Sequence, residues 1–258
     1  MAIEGLGQAS GRGAEYWDRR AAQFRRMSEQ HDPSTDRLVQ LLTAAVGNGG
    51  TFLDVGAGAG RYTIPLAAAA SSVTAVEPSA AMREHLDDRV RLAGLRNVHV
   101  VPAAWEEATV EPHDVVLAAH VLYPIEDIVP FVEKIVTHAR RCWFLAIRVE
   151  PMGGELAPLW EEVWSTPYPA EPVFLDLYNL LFSRGLRPHA ELKPFAGTRT
   201  VAFEDAVAQA KSRLFLAEDD TRYDERIRSF LTAHMQGDGE QWRWPWRALE
   251  AVVYGDVA

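Results

Sequence analysis

The sequence predicts an α/β fold built on a doubly wound, mainly parallel sheet, and three observations predict it. Short apolar segments alternate with helix-length segments from residue 51 to residue 147. The first apolar segment runs straight into a glycine turn, Gly56-Ala57-Gly58-Ala59-Gly60. The second ends in an acid, Glu77, just ahead of Pro78. Strands alternating with helices of this length indicate parallel strands with helices on both faces of the sheet.

The elements follow in order. Residues 1–12 are rich in glycine and small residues and read as a mobile arm. Residues 14–28 read as a helix with Tyr16, Trp17, Ala21 and Phe24 on one side. Asp32-Pro33 is a helix start signal, an N-cap followed by proline at the first helical position, and Leu38, Leu41, Leu42 and Ala45 continue at helical spacing to the glycines at 47–50. Strands are expected at 51–55, 73–76, 98–101, 115–119 and 143–147, with helices at 61–70, from a Ser79 cap to about Leu92, and at 128–139. After Glu150 the rhythm breaks. Helices are expected at 155–165, 172–184, 203–217 and 224–235, a sixth strand at 188–195 and a last one at 249–254. Trp242, Trp244 and Trp246 alternate with other residues and suggest an extended edge. The organisation read from this is a helical cap over 1–50, a ligand-binding core over 51–150, and helical insertions plus the last strands of the same domain over 151–258.

Composition narrows the function classes. Acidic residues outnumber basic ones 36 to 26, a formal charge of −10. That field repels phosphates, so nucleic acid is a poor partner, although Arg19, Arg20, Arg25 and Arg26 cluster on what reads as a solvated helix face. The hydrophobic fraction of 48% is enough for a real core. One cysteine, Cys142, gives neither a disulfide framework nor a zinc site, and no metal site is expected. The first residues lack a long apolar stretch of the signal-peptide kind, and the alanine-rich run at 66–70 is too short to span a bilayer. A soluble, cytoplasmic protein is expected, with no membrane partner; a homodimer is compatible with the sequence.

The chemistry sits in Phe52-Leu53-Asp54-Val55-Gly56-Ala57-Gly58-Ala59-Gly60-Arg61. Glycines allow the tight turn and let a ligand approach the backbone, and the following helix offers unpaired N–H groups. The dinucleotide fingerprint needs glycines at positions one, three and six. Counting from Gly56, the sixth residue is Arg61. Instead an acid, Asp54, stands ahead of the first glycine. A carboxylate there suits the positive amino group of an amino acid moiety and would repel a pyrophosphate. Glu77, at the tip of the second strand, can accept both hydroxyls of a ribose. A glycine turn alone is a tight loop, and a lone Glu-Pro is a helix start. Together, one βαβ unit apart, they point to a bound ligand.

The runs FLDVGAGAGRYTIPLA, VTAVEPSAAM and HDVVLAAHVLYPIEDI resemble the class I S-adenosylmethionine-dependent methyltransferase family, in its small-molecule branch. The resemblance covers about residues 40–150. It implies a Rossmann-like seven-stranded sheet closed by an antiparallel hairpin, and S-adenosylmethionine as methyl donor. By position, Asp54, Gly56, Ala57, Gly58 and Gly60 match the glycine motif, and Glu77 with Pro78 matches the ribose acid. Many members carry an Asp after the third strand, near the adenine amino group; here Ala104 stands at that place. Adenine recognition then falls to backbone groups and to Trp105, by stacking, unless Trp105 only fills the core. Tyr16 would cover the cofactor from the N-terminal helix.

The fourth strand leads into Ala119-His120-Val121-Leu122-Tyr123. His120 and Tyr123 are the candidate catalytic residues: a histidine there can act as general base, or it lines the cofactor. Arg148, ending the fifth strand, could hold an anionic substrate group or pair with Glu150. Trp160 and Trp164, four apart, head an aromatic set that could roof an apolar substrate pocket or glue a lid helix down. Methyl transfer needs an aligned nucleophile more than acid–base groups. No Asn/Asp-Pro-Pro-aromatic motif of nucleic-acid amino-methylating enzymes is present, so the acceptor is expected to be a small molecule, bound between the ends of strands four and five and the helices after 150. The competing readings are a non-methylating user of the same cofactor or a derivative, a binding protein that retains the fold, and a nicotinamide oxidoreductase, which Asp54 and Arg61 disfavour.

Overall fold

The computed structural model describes residues 18, 21–29, 31–151, 153–169, 171–194, 200–245 and 248–257. The arm expected over residues 1–12, and Tyr16, Trp17, Arg19, Arg20 and Trp246, lie outside them. In chain order the elements are α1 (Ala21–Glu29), α2 (Arg37–Val46), β1 (Thr51–Val55), α3 (Thr63–Ala67), β2 (Ser72–Val76), α4 (Ala80–Leu92), β3 (Val98–Val101), β4 (His113–Ala119), α5 (Ile128–His138) and β5 (Ala139–Arg148). A 3-10 turn at Gly154–Leu156 then leads to α6 (Ala157–Trp164), α7 (Phe174–Ser183), β6 (His189–Pro194), α8 (Phe203–Arg213) and α9 (Asp224–His234). The two-residue strands β7 (Gln236–Gly237) and β8 (Trp242–Arg243) precede β9 (Leu249–Asp256).

Seven strands form one sheet in the order β3-β2-β1-β4-β5-β9-β6. The pairs β3–β2, β2–β1, β1–β4 and β4–β5 are all parallel. Order reverses between β1 and β4, which is where ligands bind in open α/β sheets, beyond the carboxyl ends of the strands. β9 runs against β5: Val149 N donates to Leu249 O at one end and Val257 N to Arg141 O at the other. The expected seven-stranded, mainly parallel sheet with an antiparallel end is therefore the fold observed. No helix of the described residues is long and apolar enough to cross a membrane.

The chain divides into two compact units. One takes the described residues up to Ile147, with Tyr178–Glu191 and the chain from Val252 on; the other takes Arg148–Leu177 and Leu192–Ala251. In the first unit, Leu38, Leu42 and Val46 recur every four residues on α2 and pack with Phe52, Leu66, Val73, Val115, Leu117 and Phe144. That spacing makes one apolar stripe, and each such side chain, once buried, contributes about 1.5–3 kcal/mol. Cys142 lies buried in this core, and burial pushes its thiol up to about 11.

Besides small shifts of bounds, such as the helix expected over 203–217 ending at Arg213, three differences have a local cause. α2 starts at Arg37 and its N-cap is Asp36, whose carboxylate accepts from Leu38 N; Asp32 instead folds a turn by accepting from Ser34 N. The run Asp32-Pro33-Ser34-Thr35-Asp36 holds two acids able to cap, and the one nearer the apolar stripe wins. α3 is only Thr63–Ala67, because the residues around it are taken by turn bonds such as Gly60 N to Ala57 O and Ala69 N to Leu66 O. β5 is longer than its apolar run, since Ala139 already pairs with His113 across a register shift.

Candidate functional site

The glycine turn leaves β1 in a conformation that only glycine takes easily. Gly56, Gly58 and Gly60 have φ of +71°, +54° and +81°. The three do different work. A Cβ at Gly56 would stand 2.2 Å from Val121 Cγ1, and one at Gly60 would stand 2.5 Å from Leu86 Cδ1. A Cβ at Gly58 would meet nothing within 4 Å. The outer glycines admit protein neighbours, and the middle one leaves open space above its backbone.

Glu77 follows β2 directly and is buried. Its Oε2 accepts from Gly58 N and its Oε1 from Ser79 N, each at 2.8 Å. Burial raises its pKa, against those two N–H groups and Arg83, with the charge of Asp18 raising it further. A carboxylate has about four accepting positions, so a pair of adjacent hydroxyls can still be held by the remaining two. Pro78 is exposed beside it.

Asp54 is buried in β1, with Oδ2 accepting from Thr63 Oγ1 at 2.6 Å. Burial pushes its carboxyl up to about 6; the Thr63 hydroxyl pulls it down, and the charge of Glu77 pushes it up again. Among the described residues, no cation is one of the groups that set its ionisation. A ligand ammonium is the chemical complement of such a carboxylate.

The end of β4 meets the same turn through Val121. His120 has φ +59°, a left-handed conformation uncommon outside glycine, and its N–H donates to Ala146 O of β5. Its Nδ1 lies 2.8 Å from Tyr123 Oη, with the two rings stacked. Strain of this kind persists only where the surroundings over-determine it, and it concentrates at functional sites. Asp54, the 56–60 turn, Glu77 and the 120–123 segment thus belong to one neighbourhood in the first unit.

Other expected site residues lie elsewhere. Ala104 opens a turn by accepting from Glu107 N and Ala108 N. Trp105 is buried, its indole N–H donating to Phe131 O, with Lys134 Nζ 4.5 Å above the ring and His138 at its edge. That environment is a core one. Tyr16 lies outside the described residues.

In the second unit, Arg148 pairs with Glu171 at 2.7 Å. Trp160 is buried and packs on Trp164, Tyr168 and Phe215. Trp160 Nε1 is buried with no acceptor among the described residues, whereas Trp164 Nε1 donates to Leu214 O at 2.9 Å.

Sequence reading missed three members of the first site. Val121 is invisible until the glycine it crowds is known. Thr63 sits in a short helix where a hydroxyl three residues after a glycine carries no special signal. Asp18 accepts from Ser79 and Ala81, which are far along the chain.

Residues 52–141 match the family described as Methyltransferase domain. No curated protein matches the chain. Among solved structures, the YcgJ protein of Bacillus subtilis superposes with a TM-score of 0.60 at 13% identity, over 85% of this chain and 97% of that one. A candidate methyltransferase of Bacillus halodurans C-125 gives a TM-score of 0.57 at 16% identity, over 85% and 98%. Precorrin 8w decarboxylase of Methanobacterium thermoautotrophicum gives 0.50 at 13% identity, over 88% and 95%. These likenesses establish the shared fold.

Proposed function

We propose that the chain is a class I S-adenosylmethionine-dependent methyltransferase that methylates a small-molecule acceptor with an apolar or aromatic body, a reading supported by the match of residues 52–141 to the methyltransferase domain family. In this reading Glu77 holds the ribose hydroxyls, Asp54 faces the amino group, and the backbone over Gly58 receives the ligand in the space a Cβ would take. The bound donor supplies an activated methyl group. His120 and Tyr123 line that position as a hydrogen-bonded pair, able to orient an acceptor or take its proton. Their mutual bond is local and short, so both side chains are pre-set before an acceptor arrives.

The observation that carries the reading is Glu77, buried yet bound, among the described residues, through backbone N–H groups on its two oxygens, one of them from the glycine turn itself. The acceptor class rests on the net charge of −10 and on the aromatic cluster of the second unit around Trp160. Trp105 is assigned to the core here, not to stacking. Absence of a nucleic-acid partner, a cytoplasmic location and a homodimer remain parts of the proposal that separate assays address.

Melting the protein with S-adenosylmethionine, its demethylated product, NAD and NADP in parallel tests the ligand. Stabilisation by the first two alone is expected. Glu77→Ala should then weaken S-adenosylmethionine by about ten- to a hundredfold by calorimetry, equivalent to roughly 1.5–3 kcal/mol of charge-assisted bonding. Unchanged affinity would refute the ribose role. Methyl transfer to bulk RNA with none to small metabolites would overturn the acceptor class.

A further inference from the structure

Glu77 can present its free accepting positions to a ligand only if its carboxylate plane is fixed. One oxygen is oriented by Gly58 N and the other by Ser79 N. Ser79 is fully buried and is the N-cap of α4, its hydroxyl oxygen accepting from Met82 N. The same hydroxyl donates to Asp18 Oδ1 at 2.5 Å, and that oxygen also accepts from Ala81 N at 3.2 Å. Arg83, one turn into α4, donates to the carbonyls of Glu77 and Pro78.

Two side chains therefore share the first turn of α4: Ser79 takes Met82 N, and Asp18 takes Ala81 N. Either could cap the helix alone. What Asp18 adds is a fixed destination for the Ser79 hydroxyl proton. With that proton held away, the Ser79 oxygen keeps its lone pair on Met82 N and the Ser79 backbone keeps its angle to Glu77. The hydrogen bonds run without a break from Gly58 through Glu77 and Ser79 to Asp18.

We propose that Asp18 is a positioning residue for the Glu77 carboxylate, acting on it through Ser79, so that a residue 59 positions upstream of Glu77 in the chain sets how well the ribose is held. The proposal rests on the assignment of Glu77 to the ribose. Asp18 touches neither donor nor acceptor in this scheme. Loss of its carboxylate frees the Ser79 hydroxyl to rotate and strips Ala81 N of its acceptor, and Glu77 loses one of its two guides. Asparagine keeps an Oδ1 that can accept from both donors.

The experiment is a set of four proteins titrated calorimetrically with S-adenosylhomocysteine: D18A, D18N, E77Q and D18A/E77Q, beside the parent. D18A is expected to bind about tenfold more weakly, and D18N within twofold of the parent. If Asp18 acts through Glu77, the two changes are coupled, and D18A adds less than twofold in the E77Q background. A general weakening of the fold would instead cost the same factor in both backgrounds and would overturn the proposal. So would D18A binding as tightly as the parent while E77Q is weakened. E77Q binding as tightly as the parent overturns the ribose assignment itself, whatever D18A does. Thermal melts of the unliganded proteins accompany the titrations: a D18A protein that has lost its folded baseline is replaced by S79A, which breaks the same relay inside the core and must show the same coupling to E77Q.

Discussion

The glycine turn and its two acids contrast with the aromatic cluster of the second unit. Around Gly56–Gly60 the arrangement is set by backbone dihedrals and by bonds to backbone N–H groups, from Gly58 and Ser79. In the second unit it is set by side chains that reach across long stretches of sequence: Trp164 to Leu214 O, Arg213 to Glu155, Arg226 to Glu162. The first kind of site writes itself into adjacent letters, because glycine takes those φ values far more easily than other residues. The second kind leaves no local trace, because many residue pairs could make the same contacts. Local geometry is legible where the backbone supplies it.

The largest expected effect breaks the contrast at its source. Gly56→Ala combines left-handed strain with a collision against Val121 and should cost about 2–5 kcal/mol of stability. Gly58→Ala, with open space above it, should cost only the strain, about 1–2 kcal/mol. Urea unfolding of both variants measures the difference; equal losses would show that crowding by Val121 does not matter.

Asp54→Asn sharpens the same comparison through pH. The folded carboxyl is raised to about 6 from an ordinary 3.8. Between those values the unfolded chain is ionised while the folded one still holds its proton, so stability falls as pH rises through that window and then levels off. Asparagine escapes the penalty and can still accept from Thr63 Oγ1. The variant should match the parent near pH 4 and exceed it at pH 8, by up to about 3 kcal/mol. Melts across pH 4–8 check this; parallel curves would place the ionised carboxylate at no cost. The gain in stability should come with weaker S-adenosylmethionine binding, the trade expected of a site kept for function.

The smallest effect lies in the second unit. Trp164→Phe removes the bond to Leu214 O and should cost about 0.5–1.5 kcal/mol, with S-adenosylmethionine affinity unchanged. Denaturant midpoints and calorimetry read the two quantities separately. A matching loss of cofactor affinity would mean that the two regions are energetically one.

Most of the fold was legible because the sequence alternates cleanly: all five parallel strands appear at the expected apolar runs, and three of those runs end at Gly56, Glu77 and His120. Capping was read less well. Asp32 and Asp36 both suit a helix start, and only the packing of Leu38 against the sheet decides between them. In the candidate site, Asp54, the glycines and Glu77 are named by spacing, and the structure brings them into one neighbourhood. Trp105 was ambiguous because a large aromatic after a strand can face a ligand or a helix; here Lys134 and Phe131 hold it to the helix side. The Asp18–Ser79 bond was out of reach, since nothing near either residue calls for the other.

The placement of β9 has a consequence for the birth of the molecule. This strand lies beside β5, yet residues 149–248 must emerge before it does. At ordinary synthesis speeds β5 waits roughly 5–20 seconds with one edge open. The waiting segment includes Cys142-Trp143-Phe144-Leu145-Ala146-Ile147, an uncharged run of the kind that seeds strand-to-strand aggregation. Arg140 and Arg141 stand immediately ahead of it, both exposed in the finished fold. They are gatekeepers: two charges that make an unfinished sheet a poor template for its neighbours until the last strand arrives.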